Sequence, residues 1–103
     1  MSWIDIITNE LPRLRLYASA ALGSTASGDL AVEAALATIF AQHLPDPPER
    51  VVLFRRLDHQ ARRTSPMPDS EREELLKHVG GFAPVEAAEI VRWGGRALRR
   101  SAG

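Results

Sequence analysis

Apolar positions along this chain recur at helical spacing, and no stretch shows the strict alternation of a half-buried strand. The densest stretch, Leu11 to Ala41, reads as two helices joined by a tight corner. Asn9 is placed to cap the first, and Pro12 then falls in its first turn, where a missing N–H costs little. Gly23 suits the left-handed position after the last helical residue, and Ser24 offers a hydroxyl to start the second helix. A corner this short predicts two helices packed roughly antiparallel. Met1 to Thr8 reads as an apolar lead-in whose Trp3, Ile6 and Ile7 tuck under the bundle. Arg13 and Arg15 point most simply to solvent.

The second helix is apolar nearly all round. Val32, Leu36, Ile39, Phe40 and His43 form one stripe, and Leu30, Ala34, Ala37 and Ala41 form another. A surface helix needs only one apolar stripe, so this one is either central to the core or covered by a partner helix.

Pro45, Pro47 and Pro48 break the chain before a third helix, Glu49 to Arg63. Leu53, Phe54, Leu57 and Ala61 form its apolar face. Arg50, Arg55, Arg56, Arg62 and Arg63 make it basic, with Asp58 in partial compensation. That run reads as a solvated face, or as one facing a groove or an acidic partner. Thr64 to Pro68 is linker-like. Ser70 and Glu73 have capping-box spacing for a fourth helix ending at Gly80-Gly81. Pro84 opens a fifth, which Gly94-Gly95 should weaken or stop. The expected architecture is all-α: a three-helix bundle over residues 1–63, a linker over 64–69 and a helical pair over 70–103.

Composition narrows the chemistry. Hydrophobic content of 45% with 25% charged residues fits a soluble globular domain, and 103 residues fit one modest core. Acids and bases balance at thirteen each, so no bulk field favours nucleic acid. No cysteine is present, and no apolar run is long enough to span a membrane. Without a signal-peptide pattern, the expected location is cytoplasmic. His43, His59 and His78 fall on three different helices, and no pair has the four-residue spacing of a zinc-binding helix. Neither a P-loop nor a dinucleotide-binding glycine motif occurs. The expectation is therefore no catalytic residue, no metal ligand and no cofactor.

The ordered residues Leu11-Pro12, Leu14-Arg15, Tyr17-Ala18, Ala21-Leu22-Gly23 and Ala26-Ser27-Gly28-Asp29 resemble the opening of sigma factor region 2. The nearest likeness is the sigma-like domain of PhyR-type general stress response regulators. Val51 to Gln60 (VVLFRRLDHQ) is similar to the next region-2 helix, and Arg72 to Val91 to the start of region 4. The resemblance implies a mimic of a sigma factor that captures a helical NepR-type anti-sigma factor and so frees the real one. A receiver domain normally controls such a surface. With no room for one in 103 residues, the expectation is either a fragment or a stand-alone mimic, with any receiver acting in trans.

Against working sigma factors, Val32 and Ala37 stand where polar residues usually meet the polymerase clamp; Asp29 and Glu33 persist. RWGGRALRRSAG after Val91 offers little for a recognition helix. Candidate partner contacts under the mimic reading are Leu30, Glu33, Ala34 and Ala37, then Phe54, Arg55 and Leu57 near the hinge, and Ala87, Ile90 and Val91 on the fifth helix. They would line a groove between the bundle and the pair. Two alternatives remain at this level. One is a reduced sigma factor or DNA-binding regulator, with DNA or RNA polymerase as partner. The other is a self-associating helical protein.

Overall fold

The computed structural model describes residues 2–43, 45–46, 48–64 and 67–102, and side chains as far as Trp93. Five helices follow one another: α1 (Trp3–Leu22), α2 (Thr25–Ala41), α3 (Arg50–Arg62), α4 (Asp69–His78) and α5 (Pro84–Ala102). Pro47 of the first breaker, and Ser65 and Pro66 of the expected linker, lie outside the described residues.

Helix α1 begins earlier than the pattern predicts. Ser2, not Asn9, is its cap: the Ser2 hydroxyl accepts from the Asp5 N–H at 3.2 Å, and the Asp5 carboxylate accepts from the Ser2 N–H at 3.4 Å. This reciprocal box satisfies two donors that a helix start otherwise strands. Pro12 consequently sits inside the helix on an exposed position. It removes one backbone bond there instead of falling where none is needed. From Trp3 onward the expected lead-in is the start of α1, with Met1 outside the described residues, and Trp3, Ile6 and Ile7 do pack against the core. Trp3 lies 5.4 Å from the Phe40 ring at the far end of α2.

The corner between α1 and α2 forms as expected. Gly23 takes a left-handed φ of 83°, and its N–H bonds the Ser19 carbonyl at 2.9 Å. The Ser24 hydroxyl accepts from the Ser27 N–H at 3.1 Å. One turn later, Gly28 lets the two backbones touch: a Cβ on it would lie 2.6 Å from the Ser19 nitrogen and 2.8 Å from its Cα. Arg15, exposed as expected, also forks onto Asp29 across this contact, at 2.9 and 3.2 Å. Asp29 also raises the Arg15 pKa, by hydrogen bond and by charge, which keeps the guanidinium protonated.

The second pair of helices packs onto the same core. Helix α4 begins at Asp69 with Pro68 as cap, so Ser70 lies in the first turn and the expected Ser70–Glu73 box does not form. At its end Gly81 adopts φ 71° and the Phe82 N–H reaches the Leu76 carbonyl at 3.2 Å. That turn swings Phe82 inward, edge-on to Phe54 with 5.0 Å between ring centres. Tyr17 meets Phe54 at 5.9 Å, completing an aromatic chain from α1 through α3 to the α4–α5 turn. Arg50 closes the outside of this chain. Its Nε donates to Glu10 at 3.1 Å, its Nη2 donates to the Gly80 carbonyl, and its guanidinium lies 4.4 Å from the Phe82 ring centre. Helix α5 does not stop at Gly94-Gly95; its backbone continues helical to Ala102.

Gly28→Ala should destabilise the fold by about 1–3 kcal/mol, because the added methyl meets backbone that cannot rotate away. Helix propensity alone would favour Ala by about 1 kcal/mol. A thermal melt therefore separates the two effects. A melting temperature equal to or above that of the parent chain would refute the close contact.

Candidate partner-docking surface

One buried carboxylate fixes how the two pairs of helices meet. Asp58 on α3 is fully buried and accepts from three elements. The Tyr17 hydroxyl of α1 donates to its Oδ1 at 2.5 Å, and Arg72 Nη1 of α4 donates to the same oxygen at 2.9 Å. Arg62 Nε donates to Oδ2 at 3.1 Å. The two guanidiniums reach onward. Arg72 Nε donates to the Met67 carbonyl at 3.0 Å, and Arg62 Nη2 to Asp69 at 2.8 Å and the Val91 carbonyl at 2.9 Å. Burial, followed by the neighbouring Asp58 charge, pushes the Tyr17 hydroxyl well above its ordinary pKa, so it remains a donor.

With α4 and α5 set in this way, the outer face of α2 stays open. Val32, Ala35 and Ile39 are buried beneath it. Leu30, 67% exposed, and Phe40, 49% exposed, face outward with Glu33, Ala37 and Ala41, while Ala34 is half-buried at the edge. A second opening of about 400 Å³ lies between α1 and α4, with Ala20, Met67 and Leu75 against Glu71, Glu74 and His78. Leu16, 59% exposed, stands one turn from Ala20.

The basic residues of α3 are largely committed within the fold. Beyond Arg50 and Arg62, Arg55 pairs with Glu89 at 3.0 Å and Arg56 lies 5.1 Å from the Trp93 ring centre. Only Arg63 of the predicted basic run is exposed.

A family model described as the Sigma2 domain of PhyR matches residues 7–58, which is 52 of the 103 residues. The chain belongs to that family. Neither a curated protein nor a solved structure matches it. The match takes in α1 from Ile7, all of α2, and α3 as far as Asp58. It thereby identifies a sigma-like regulator whose α4 and α5 lie beyond the matched residues.

The sigma-like fold divides the anticipated contacts into two groups. Leu30, Glu33, Ala34 and Ala37 share the outer side of α2. Phe54, Leu57, Ala87, Ile90 and Val91, by contrast, are each 2% exposed or less. Their assignment as partner contacts is corrected: α5 lies directly on α3, and these side chains fill the space where a groove was expected. Arg55 is half-buried beside them, held to Glu89. The cleft between the two halves opens on the α1–α4 side instead.

Asp58, Tyr17 and Arg72 were not anticipated as a unit. The spacing of Arg62, four residues after Asp58, is visible in the sequence; the other two partners lie 41 and 14 residues away. His43 is exposed, His59 sits 6.0 Å from Trp93, and His78 faces Glu74 at 3.2 Å. Among the described residues, no three His, Asp or Glu side chains gather where they could hold a metal ion. None of the helices is long and apolar enough to cross a membrane, among the described residues.

Asp58→Ala should cost about 3–5 kcal/mol in chemical unfolding, since it strands a buried Arg72 guanidinium. The triple replacement Tyr17→Phe, Asp58→Leu, Arg72→Met should recover much of that loss. A single-variant loss within the range of exposed pairs, below about 1 kcal/mol, would refute the hub. Tyr17 predicts an alkaline limb. The unfolded chain ionises near the ordinary tyrosine value of 10.0, the folded chain later, so stability is whole below that pH and falls as pH rises beyond it. Unfolding midpoints measured up to alkaline pH should show the fall in the parent chain and a flatter limb in Tyr17→Phe. Identical limbs would refute it.

Proposed function

We propose that this chain is a non-catalytic sigma-factor mimic of the cytoplasm that binds a helical NepR-type anti-sigma factor. By sequestering that factor it would regulate transcription in a stress response. A receiver domain acting in trans is a second partner under this reading.

The observation that carries the proposal is the outer face of α2. Val32, Ala35 and Ile39 already supply the stripe that the core needs, yet Leu30, Ala37, Phe40 and Ala41 remain in water on the opposite side. Apolar surface removed from water is worth roughly 25 cal/mol per Å². A face bearing two large apolar side chains among alanines suits a partner helix lying close against it. Family membership supports the same reading, because the matched segment contains this whole helix.

The DNA- or polymerase-binding alternative fares less well for a reason the sequence did not offer. Helix α5 runs on past its glycines, so the shortness of the C-terminal stretch no longer argues against DNA. The pairing of Arg50, Arg55 and Arg62 with Glu10, Glu89 and Asp58 does, because a phosphate would have to displace those partners.

Titration with a purified NepR-type anti-sigma factor tests the proposal. Leu30→Arg and Ala37→Arg should each weaken binding at least tenfold, about 1.4 kcal/mol, with the thermal melt unchanged. Affinity unaltered in both variants would move the partner off α2. Binding of core polymerase or promoter DNA in place of the anti-sigma factor would overturn the mimic.

A further inference from the structure

The α1–α4 groove holds the carboxylates of Glu71 and Glu74, the end of α5 is rich in arginine, and the α2 surface uses neither. Helix α5 has 19 residues and α4, on which it packs, has 10. Its helical backbone continues to Ala102, beyond Val91, its last core residue among the described side chains. From Arg92 to Arg100 its sequence, RWGGRALRR, holds four arginines and no acid. Trp93 and Ala97 are four residues apart in that sequence. Among the described residues α5 packs on α3 and α4 and not on α1, which forms the other wall of the groove.

The groove has the complementary character. Ala20, Leu75 and Met67 supply apolar lining, and Glu71 and Glu74 supply carboxylates. Glu74 is shared with Lys77 at 2.5 Å and His78 at 3.2 Å. The Lys77 bond lowers its pKa, which keeps it anionic. Exposed Leu16 extends the apolar lining along α1.

We propose that the groove between α1 and α4 receives the arginine-rich end of α5 from a second copy of this chain. Reciprocal exchange of the two ends closes a two-fold dimer, which the chain's zero formal net charge does not oppose. Contacts between exposed charges are salt-sensitive, so the dimer is weak and dissociates as salt rises. It leaves the outer face of α2 open, and its test is therefore independent of anti-sigma capture.

Analytical ultracentrifugation of the full chain over a wide range of concentration, at low and high salt, reads this directly. The parent chain should pass from monomer to dimer with concentration, and salt should reverse it. The double variant Glu71→Arg, Glu74→Arg and the double variant Arg96→Glu, Arg99→Glu should each be monomeric. Mixed together they should dimerise again, since each groove then faces an end of opposite charge. A parent chain monomeric throughout, or a dimer indifferent to both charge reversals, would overturn the proposal. So would a mixture that stays monomeric, or arginine-dependent binding of duplex DNA by a chain that never dimerises.

Discussion

A buried carboxylate with donors from three helices is the constraint on which this fold turns. Asp58 is fully buried, and so is Arg72, which lies beside it. Desolvating such charges is repaid only by near-complete hydrogen bonding. Tyr17, Arg62 and Arg72 provide it, and because they come from α1, α3 and α4 the repayment is made only when all three helices are in register. Apolar packing would tolerate small slides of α4 along α1. The hub does not, and the width of the α1–α4 groove follows from it.

The apolar excess of α2 takes its meaning from that arrangement. Where α4 and α5 cover α3 and part of α1, α2 receives no second layer among the described residues; there it packs on α1 and α3. Half of its apolar circumference is thus core and half is surface. Gly28 and the Arg15–Asp29 pair hold it close against α1, so the outer stripe is presented on a rigid support.

Much of this was legible in the sequence, and the gaps have physical causes. The Gly23-Ser24 corner, the helix after Pro84 and the all-α class rest on local backbone chemistry, which nearby residues decide. The start of α1 was misplaced because Asn9 and Pro12 offer a plausible boundary, whereas the Ser2–Asp5 box that prevails is hidden in an apolar stretch. Glycine propensity at Gly94-Gly95 favours a stop, yet two weak residues do not end a helix anchored by Ala87, Ile90 and Val91. Those same anchors read, from their spacing alone, as docking residues. Periodicity identifies an apolar stripe without saying what covers it, and here α3 and α5 cover each other. The partners of Asp58 were invisible for a related reason: a buried ion network is set by contacts between distant segments.

The position of Asp58 bears on how the chain acquires its structure during synthesis. Residues are made in order, and the family's matched segment ends at Asp58, before either guanidinium that surrounds it. Until Arg62 and then Arg72 have been made, Asp58 has only Tyr17 of its three donors. The register that the three donors impose is therefore complete only once α4 has been made.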